Sequence, residues 1–440
     1  MPNDLKKKDY LGYKARELAV DVLLNITQKN INTDQSFDFY LSKDKYKSLP
    51  KEDLAFSKNI IMTTLRYWGF IEKILDKYLS NSIEEHSPRI HIILLISITQ
   101  IIVISSPPYA VVNIAINLTK RDRKSYKLQG LVNAVLRKIS REIEDINLKE
   151  FDANFLLPDW LRSRWHEQYN PSEILSTAQS LLTPPPLDIT VKQPESKLVS
   201  EINGVTLNTG TIRLFDYGFI PDIKYYSDGE WWVQDVSASI PVKLIENEIK
   251  GMNFVDFCAA PGGKTANLIQ AGAIVTAIDS SKERIKVLEQ NLRRLKYKAE
   301  IIHADASVWS PKKPYDGVLI DAPCSSTGVI RRNPDILRRK DFNLDYFVSI
   351  QEKLLRNGLD IIKKGGILVY CTCSMEKEEG EDQIKKILSE RADVNIKEID
   401  IEKISIVKKY IKPEGYVRII PNTLADGGND GFFISILQKT

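Results

Sequence analysis

The chain has 440 residues, 43% of them hydrophobic and 27% charged, which is ordinary for a globular protein and long enough for two or three domains. Its net charge of +4 excludes a protein that binds polyanions over its whole surface, so any nucleic-acid contact must come from local clusters. Four cysteines and four histidines lack the spacing of a disulfide framework or a zinc site, which predicts a reducing cytoplasm and no metal. The N-terminus has no secretory apolar run, and the longest apolar stretch, residues 91–104, is shorter than a membrane span, so no membrane contact is predicted.

The first predicted domain, residues 1–148, is all-helical. Apolar residues recur at helical spacing in residues 15–26, 54–65, 71–79, 91–104 and 131–139. A basic run follows the fourth of these segments and is predicted to contact RNA through Lys120, Arg121, Arg123 and Lys124. A run of charges is often only a solvated face, and that alternative stays open.

The second predicted domain, residues 149–245, is a small α+β linker domain that also contacts RNA. Short strand-like runs at residues 187–191, 212–214 and 231–233 are separated by glycine and aspartate turns. Nearby aromatic side chains offer faces on which bases stack, although core packing explains most such residues. These aromatic residues are Tyr225, Tyr226, Trp231 and Trp232.

The third predicted domain, residues 246–440, alternates strands with helices. Strands are predicted at residues 253–257, 273–279, 299–303, 316–321 and 367–371, with late strands at 417–420 and 432–437. This alternation predicts an α/β Rossmann-like domain with a mostly parallel, doubly wound sheet, and ligands at the carboxyl ends of its strands.

A turn of small residues follows the first strand of this domain, from Cys258 to Thr265. Small residues let the backbone approach a ligand closely, and the next helix presents its amide hydrogens there. The turn almost matches a P-loop, but the glycine required five positions before Gly263 is replaced by Cys258, so an NTPase is the rival interpretation. Asp279 ends the second strand as a partner for a ribose, and Asp305 follows the third strand, where it is placed to touch an adenine amine.

Two cysteines close apolar runs of the same domain. Cys324 follows the run that ends at Asp321, and Cys373 follows the run that begins at Gly365. Both thiols are therefore expected at one rim of the sheet, facing a ligand, although a buried apolar cysteine is the common alternative. Cys371 shares a strand face with Cys373 and is predicted to serve packing.

Three motifs carry a specific resemblance: residues 258–265, residues 321–328 (Asp-Ala-Pro-Cys-Ser-Ser-Thr-Gly) and residues 372–374 (Thr-Cys-Ser). They resemble the motifs of the RNA 5-methylcytosine methyltransferases. Residues 328–336 and the helical front end, which resembles a NusB-like RNA-binding domain, narrow the resemblance to the bacterial Sun-like branch. Residues 233–238 and 430–433 also match, so the resemblance spans nearly the whole chain. Ser239 and Cys371 depart from the usual glutamine and the usual serine or alanine.

The resemblance implies an enzyme that transfers a methyl group from S-adenosyl-L-methionine to carbon 5 of a cytosine in 16S ribosomal RNA. It implies that Cys373 attacks carbon 6 to form a covalent adduct, that Cys324 assists release, and that Asp321 hydrogen-bonds the flipped base. The predicted cofactor residues are Cys258, Ala259, Ala260, Pro261, Gly262, Gly263, Lys264, Asp279, Arg284, Asp305 and Asp321. A basic cluster beside the Cys324 loop is predicted to contact phosphates and comprises Arg331, Arg332, Arg338 and Arg339.

The expected partner is small-subunit ribosomal RNA, free or partly assembled, bound by a monomer. Three alternatives remain from the sequence. The same chemistry acts on transfer RNA, the chain is an RNA-dependent NTPase, or it is a non-catalytic RNA-binding factor led by its helical domain.

Overall fold

A computed structural model describes residues 12–120, 125–193, 197–340, 342–400 and 405–440. The chain forms two compact units. One ends at Thr183 and also includes the segment from Ile330 to Asp341, and the other comprises Pro184–Val329 and Phe342–Thr440. The first unit is therefore discontinuous in the sequence.

The first unit is helical. Its α-helices are α1 (Tyr13–Lys29), α2 (Thr33–Leu41), α3 (Lys51–Asp76), α4 (Pro88–Ile102), α5 (Pro108–Lys120), α6 (Gln129–Arg141), α7 (Asp159–Gln168) and α8 (Pro171–Gln179). Every residue of α4 from Ile90 to Ile101 is buried, as predicted for a core helix. Among the described residues, no helix is both long and apolar enough to cross a membrane.

Helix α3 joins two segments that the sequence predicted as separate helices, 54–65 and 71–79. Gly69 lies inside α3, and the carbonyl oxygen of Phe155 sits only 1.7 Å from where a β-carbon on Gly69 would be. Glycine at this position therefore allows the chain to pack closely against α3, and it does not break the helix. Helix α2 was not predicted, and only its Thr33 and Ser36 are buried, so its apolar residues do not form a buried face.

The predicted boundaries after residues 148 and 245 do not coincide with the division between the units. Residues 149–183 pack against α3, where Arg66 donates to the Leu181 carbonyl at 3.2 Å and Tyr67 to the Leu182 carbonyl at 3.3 Å. Residues 184–245 belong to the second unit, and the segment from Ile330 to Asp341 belongs to the first. Composition shows where a chain changes character, whereas these divisions depend on tertiary packing.

The second unit contains a small antiparallel sheet. Its strands are β1 (Leu187–Val191), β2 (Val205–Thr206), β3 (Ile212–Leu214) and β4 (Trp231–Val233), in the order β2-β3-β1-β4, and the short helix α9 (Leu198–Glu201) precedes β2. Asp188 of β1 and Arg213 of β3 form a fully buried two-bond ion pair, with both N–O distances at 2.7 Å. Asp188 also accepts a hydrogen bond at 3.0 Å from the backbone of Val236, where the chain leaves this sheet.

A larger sheet of eight strands forms the rest of the unit. The strands are β5 (Asn253–Phe257), β6 (Ile274–Asp279), β7 (Glu300–His303), β8 (Tyr315–Asp321), β9 (Ile362–Thr372), β10 (Val394–Ile396), β11 (Val417–Ile419) and β12 (Phe432–Lys439). The helices are α10 (Val236–Lys243), α11 (Gly263–Gln270), α12 (Lys282–Arg294), α13 (Leu344–Ile361) and α14 (Glu381–Glu390).

The strand order is β10-β12-β9-β8-β5-β6-β7, and β11 pairs with β12. Strands β5 to β9 pair in parallel, whereas β12 is antiparallel to β9. The predicted all-helical N-terminal part and the predicted Rossmann-like, mostly parallel sheet are both confirmed. The carboxyl ends of the parallel strands meet at one edge of the sheet.

The buried pair of Asp188 and Arg213 generates a stability prediction. The Asp188→Ala substitution leaves an uncompensated buried guanidinium, so the free energy of unfolding should fall by about 3–5 kcal/mol in a urea titration. As the matched control, Asp360→Ala removes an exposed partner of Arg391 and should cost less than about 1 kcal/mol. Equal effects of the two substitutions would contradict a structural role for the buried pair.

Candidate active site

The order of the parallel strands reverses between β5 and β8, and such a switch point opens a crevice at the carboxyl ends of the strands. The glycine turn after β5 lies at this edge. Gly262 has a φ of +105°, and a β-carbon there would lie 2.7 Å from Leu288, so glycine is required on both grounds. Helix α11 begins at Gly263 and points its free amide hydrogens into the crevice edge.

The structure brings the two predicted cysteines together. The sulfur atoms of Cys324 and Cys373 are 3.4 Å apart, Cys324 is buried and Cys373 is partly exposed. The hydroxyl of Ser326 lies 3.7 Å from the Cys373 sulfur. The hydrogen bond with Cys373, followed by burial, raises the pKa of Cys324 well above its ordinary value. Cys324 therefore keeps its proton.

Lys264, the second residue of α11, forms an ion pair with Asp321 at the end of β8, with a distance of 2.8 Å. Burial acts to lower the pKa of Lys264, but attraction by Asp321 outweighs burial and raises it. A permanent positive charge therefore lies near the thiols. Cys371 is fully buried, and burial raises the pKa of its thiol, so it remains protonated and serves packing.

The predicted cofactor acids have different surroundings. Asp279 is buried and accepts hydrogen bonds from the backbone of Ala260 at 3.2 Å and of Ser281 at 3.0 Å. Arg284 lies 3.5 Å from Asp279 and donates to the carbonyl of Ala260. Asp305 is exposed and caps the turn after β7 through the backbone of Ser307. Asp279 and Arg284 thus brace the turn that contains Ala260.

The other residues of the glycine turn contribute through their backbone. Cys258 has a φ of +60°, and burial, followed by repulsion from Asp279, raises the pKa of its thiol to about 12. Ala259 donates to the carbonyl of Ile278 at 3.0 Å, which ties the turn to β6. The carbonyl of Pro261 accepts from Asn291 at 2.9 Å. Each of these residues therefore shapes the crevice through its backbone, and Cys258 is not a reactive thiol.

Sequence reasoning did not single out a buried acid beside the cysteines. Glu379 is fully buried and accepts hydrogen bonds from Ser325 and Ser374, the residues that follow Cys324 and Cys373. It stands in an acidic run, residues 376–382, that has the composition of a solvated helix start. Only the predicted convergence of the two cysteine loops could have drawn attention to it.

The basic residues predicted to contact RNA differ in the exposure and the existing contacts of their side chains. Lys120 is exposed at the end of α5, whereas Arg121, Arg123 and Lys124 lie outside the described residues. The prediction is wrong for Arg331, because its side chain is only 2% exposed. Arg338 is used within the first unit, where its guanidinium stacks 5.1 Å from the centre of the Trp68 ring.

Arg332 and Arg339 are partly exposed, and their contact with RNA stays a prediction.

The aromatic residues considered for stacking serve packing. Trp231 and Trp232 are buried, and Tyr226 lies between Trp231 and the guanidinium of Arg294. The exposed rings of this region are in the loop after β3 instead, at Phe215 (59% exposed), Tyr217 (40%) and Phe219 (70%). Alternating aromatics in this loop were a visible signal that the sequence reasoning missed.

Comparison with known proteins identifies the family. A family described as 16S rRNA methyltransferase RsmB/F matches residues 243–438, and the NusB family matches residues 13–141. The ribosomal RNA small subunit methyltransferase B of Cronobacter sakazakii is 30% identical over 401 residues, covering 87% of this chain and 91% of the relative. The protein of the same name from Pasteurella multocida is 29% identical, covering 98% of each chain.

Solved structures agree on the fold. The crystal structure of PH0851 has a TM-score of 0.74 at 20% identity and covers 97% of this chain and 99% of its own. A methyltransferase homolog protein from Pyrococcus horikoshii has a TM-score of 0.53 at 22% identity, covering 67% of this chain and all of its own. With the relatives matched over most of their length, the family predicted from the sequence is confirmed, and the chain belongs to the 16S rRNA methyltransferase RsmB/F family.

Proposed function

We propose that this ribosomal RNA methyltransferase acts on carbon 5 of a cytosine in 16S ribosomal RNA, through a covalent adduct between Cys373 and the base. The observation that carries the proposal is the pair of thiols 3.4 Å apart at the edge of the sheet that also bears the glycine turn. A base whose carbon 5 is to be methylated needs a nucleophile to add at carbon 6, and a second group to help remove the carbon 5 proton.

The methyl donor of this family is S-adenosyl-L-methionine, which supplies an electrophilic methyl group. The crevice fits such a molecule, because the space at Gly262 admits no β-carbon and the amides of α11 offer donors to a carboxylate. We assign Cys258 through Lys264, Asp279, Arg284, Asp305 and Asp321 to its binding, with the acids as acceptors for hydroxyl and amine groups. In this assignment Asp279 would hold the ribose, and Arg284, which lies 3.5 Å from Asp279, would keep the turn in place.

Cys373 is the nucleophile because it is the more exposed thiol of the pair and Cys324 retains the proton. The charge of Lys264 stabilises the thiolate. When the Cys373 sulfur bonds to carbon 6, an electron pair moves to carbon 5, which would then take the methyl group from the sulfonium sulfur of the donor and leave a thioether. Asp321 is 37% exposed and accepts from the exocyclic amine of the flipped base, which orients the ring.

Release requires that the proton on carbon 5 leaves and that the sulfur–carbon bond breaks, which restores the aromatic ring and the Cys373 thiolate. The hydrogen bond to Cys373 is the largest cause of the high pKa of Cys324. Once Cys373 is bonded to the base, that contribution disappears and the pKa of Cys324 falls. Cys324 can then release its own proton to solvent, and the resulting thiolate accepts the proton from carbon 5.

The RNA contact is proposed to involve Lys120, Arg332 and Arg339 together with exposed aromatic rings. Phe215 packs beside Gly427, since a β-carbon there would lie 2.8 Å from the ring, and residues 427–431 lead to Gly431. The backbone of Gly431 donates to Gly328, and Gly328 donates to the carbonyl of Cys373 at 2.9 Å. Residues 427–431 therefore link the aromatic loop to the loops that carry Cys324 and Cys373, and bases flanking the target would stack on its rings.

One chain carries both cysteines and the turn, so a monomer suffices, and the four free thiols favour action in the reducing cytoplasm. A transfer-RNA methyltransferase would share every one of these features. Only a test of both RNAs as substrates distinguishes the two assignments.

The first prediction concerns the nucleophile. Cys373→Ala should abolish methylation of a 16S ribosomal RNA transcript while binding S-adenosyl-L-methionine with unchanged affinity in calorimetry, because the cofactor residues are untouched. Cys371→Ala is the matched control and should retain turnover. Binding of ATP in place of the methyl donor would favour the NTPase interpretation, and methylation of transfer RNA alone would change the assigned substrate.

The second prediction concerns release. Cys324→Ala should accumulate a covalent protein–RNA adduct, visible as a slow band on a denaturing gel, because addition and methylation proceed while elimination stalls. The Cys324→Ala/Cys373→Ala double variant should give no such band. Normal turnover by Cys324→Ala would remove the assigned role of this thiol.

The third prediction concerns the aromatic loop. Tyr217→Ala combined with Phe219→Ala should weaken RNA binding by roughly 1–3 kcal/mol per ring lost, measured by fluorescence anisotropy. The slope of affinity against salt concentration should not change, because no phosphate contact is removed. Ile274→Ala removes an exposed apolar side chain at the amino end of β6 and serves as the control. A shallower salt slope would argue against stacking.

A further inference from the structure

Glu379 is fully buried in the turn between β9 and α14, and four donors converge on its carboxylate. One oxygen accepts from the backbone of Ser325 and from the side chain of Gln351, each at 2.9 Å. The other accepts from the hydroxyl of Ser374 at 2.5 Å and from the hydroxyl of Ser325. The Tyr370 hydroxyl holds the backbone of Glu379 at 2.8 Å.

The partners of Glu379 belong to the two loops that carry the cysteines. Ser325 directly follows Cys324, and Ser374 directly follows Cys373. Gln351 extends the same network, since it also donates at 2.9 Å to the carbonyl of Pro323, the residue before Cys324. One carboxylate therefore ties the backbone beside one thiol to the side chain beside the other.

An ionised carboxylate acts only as an acceptor and offers about four lone-pair sites. Four donors around Glu379 match that number, so each donor has its own acceptor site on the carboxylate. A generic apolar residue at this position would leave the Ser325 amide and the Gln351 side chain without their acceptor.

We propose that Glu379 is a positioning residue for the methyl transfer, one that sets the separation of the Cys324 and Cys373 thiols by holding both loops on one carboxylate. The effect of Glu379 on catalysis rests on the proposed function. The contacts by which Glu379 holds the two loops do not depend on that function.

The charge of Glu379 also affects the pKa of Cys324. After the hydrogen bond to Cys373 and burial, repulsion from Glu379 is one of the causes that raise the pKa of Cys324. Glu379 thus helps keep the proton on Cys324 while Cys373 is free to attack.

A trivalent arsenical tests the separation of the thiols without RNA or cofactor. Phenylarsine oxide condenses with two neighbouring thiols, forming two arsenic–sulfur bonds and releasing one water. The full-length protein should bind one equivalent, and Cys373→Ala should lose roughly 10²-fold or more in affinity because the second thiol is gone. Glu379→Ala should lose roughly tenfold, because loosened loops lower the effective concentration of the second thiol.

The Glu379→Gln variant separates geometry from charge. Its amide oxygen still accepts from Ser325 and Gln351, and its amide nitrogen donates to the two serine hydroxyls. Glu379→Gln should therefore bind the arsenical like the unmodified protein. Ser374→Ala removes one donor to Glu379 and leaves the other three in place, so it should give an intermediate loss.

Turnover provides the second readout. Glu379→Ala should lower kcat by roughly 10²-fold, since a displacement of about 1 Å at reacting groups has that cost, with the affinity for S-adenosyl-L-methionine unchanged. In the Cys324→Ala background it should slow the appearance of the RNA adduct by the same factor. Glu378→Gln is the matched control, because the neighbouring acid is partly exposed and should leave every readout unchanged.

The outcomes separate the two proposals. Unchanged arsenical binding by both Glu379→Ala and Ser374→Ala would overturn the positioning role. Equal losses of arsenical binding, cofactor binding and stability would also overturn it, as they indicate a general packing role. A lack of RNA methylation by the unmodified protein would instead defeat the proposed function while the arsenical results still stand.

Discussion

The parallel pairing of β8 with β9 is the constraint on which the candidate active site depends. Asp321 pairs with Cys371 in this register, and the backbone of Ala322 donates to the carbonyl of Cys371 at 3.0 Å just beyond it. Because the two strands end together, the loops that leave them carry Cys324 and Cys373 to the same place. A shift of one residue along either strand would turn its side chains to the other face of the sheet and separate the thiols.

Glycine allows the loops to meet beyond the strands. A β-carbon on Gly328 would lie 2.5 Å from the carbonyl of Gly431 and 2.8 Å from that of Cys373, so any side chain would push the loops apart. Buried charges then complete the arrangement. Arg418 pairs with Glu381 and donates at 2.5 Å to the carbonyl of Ser374, which holds the loop after Cys373 from its other side. Polar groups buried this completely specify one arrangement because every alternative leaves one of them unsatisfied.

Much of the fold could be predicted from the sequence because local patterns report it. The strands at residues 187–191 and 212–214 were predicted with the bounds that the structure has, and the convergence of Cys324 and Cys373 follows from their places after two apolar runs. Arg331 and Glu379 could not be predicted in the same way. A charged residue in a polar run looks solvated, and its burial depends on partners far away in the sequence. The extent of α3 could not be predicted for a similar reason, since Gly69 packs against the carbonyl oxygen of Phe155, which is distant in the sequence.

The discontinuity of the helical unit has a consequence for biosynthesis. Residues 334–338 form a short 3-10 helix in this unit, with Ile336 and Leu337 buried and the backbone of Lys340 bonded to Asn30 at 2.9 Å. The ribosome delivers this last piece only after some 150 residues of the other unit have emerged. The N-terminal helices therefore lack this segment while residues 184–329 are synthesised. The first unit is therefore completed late in synthesis. A nascent chain that ends before residue 330 cannot complete it.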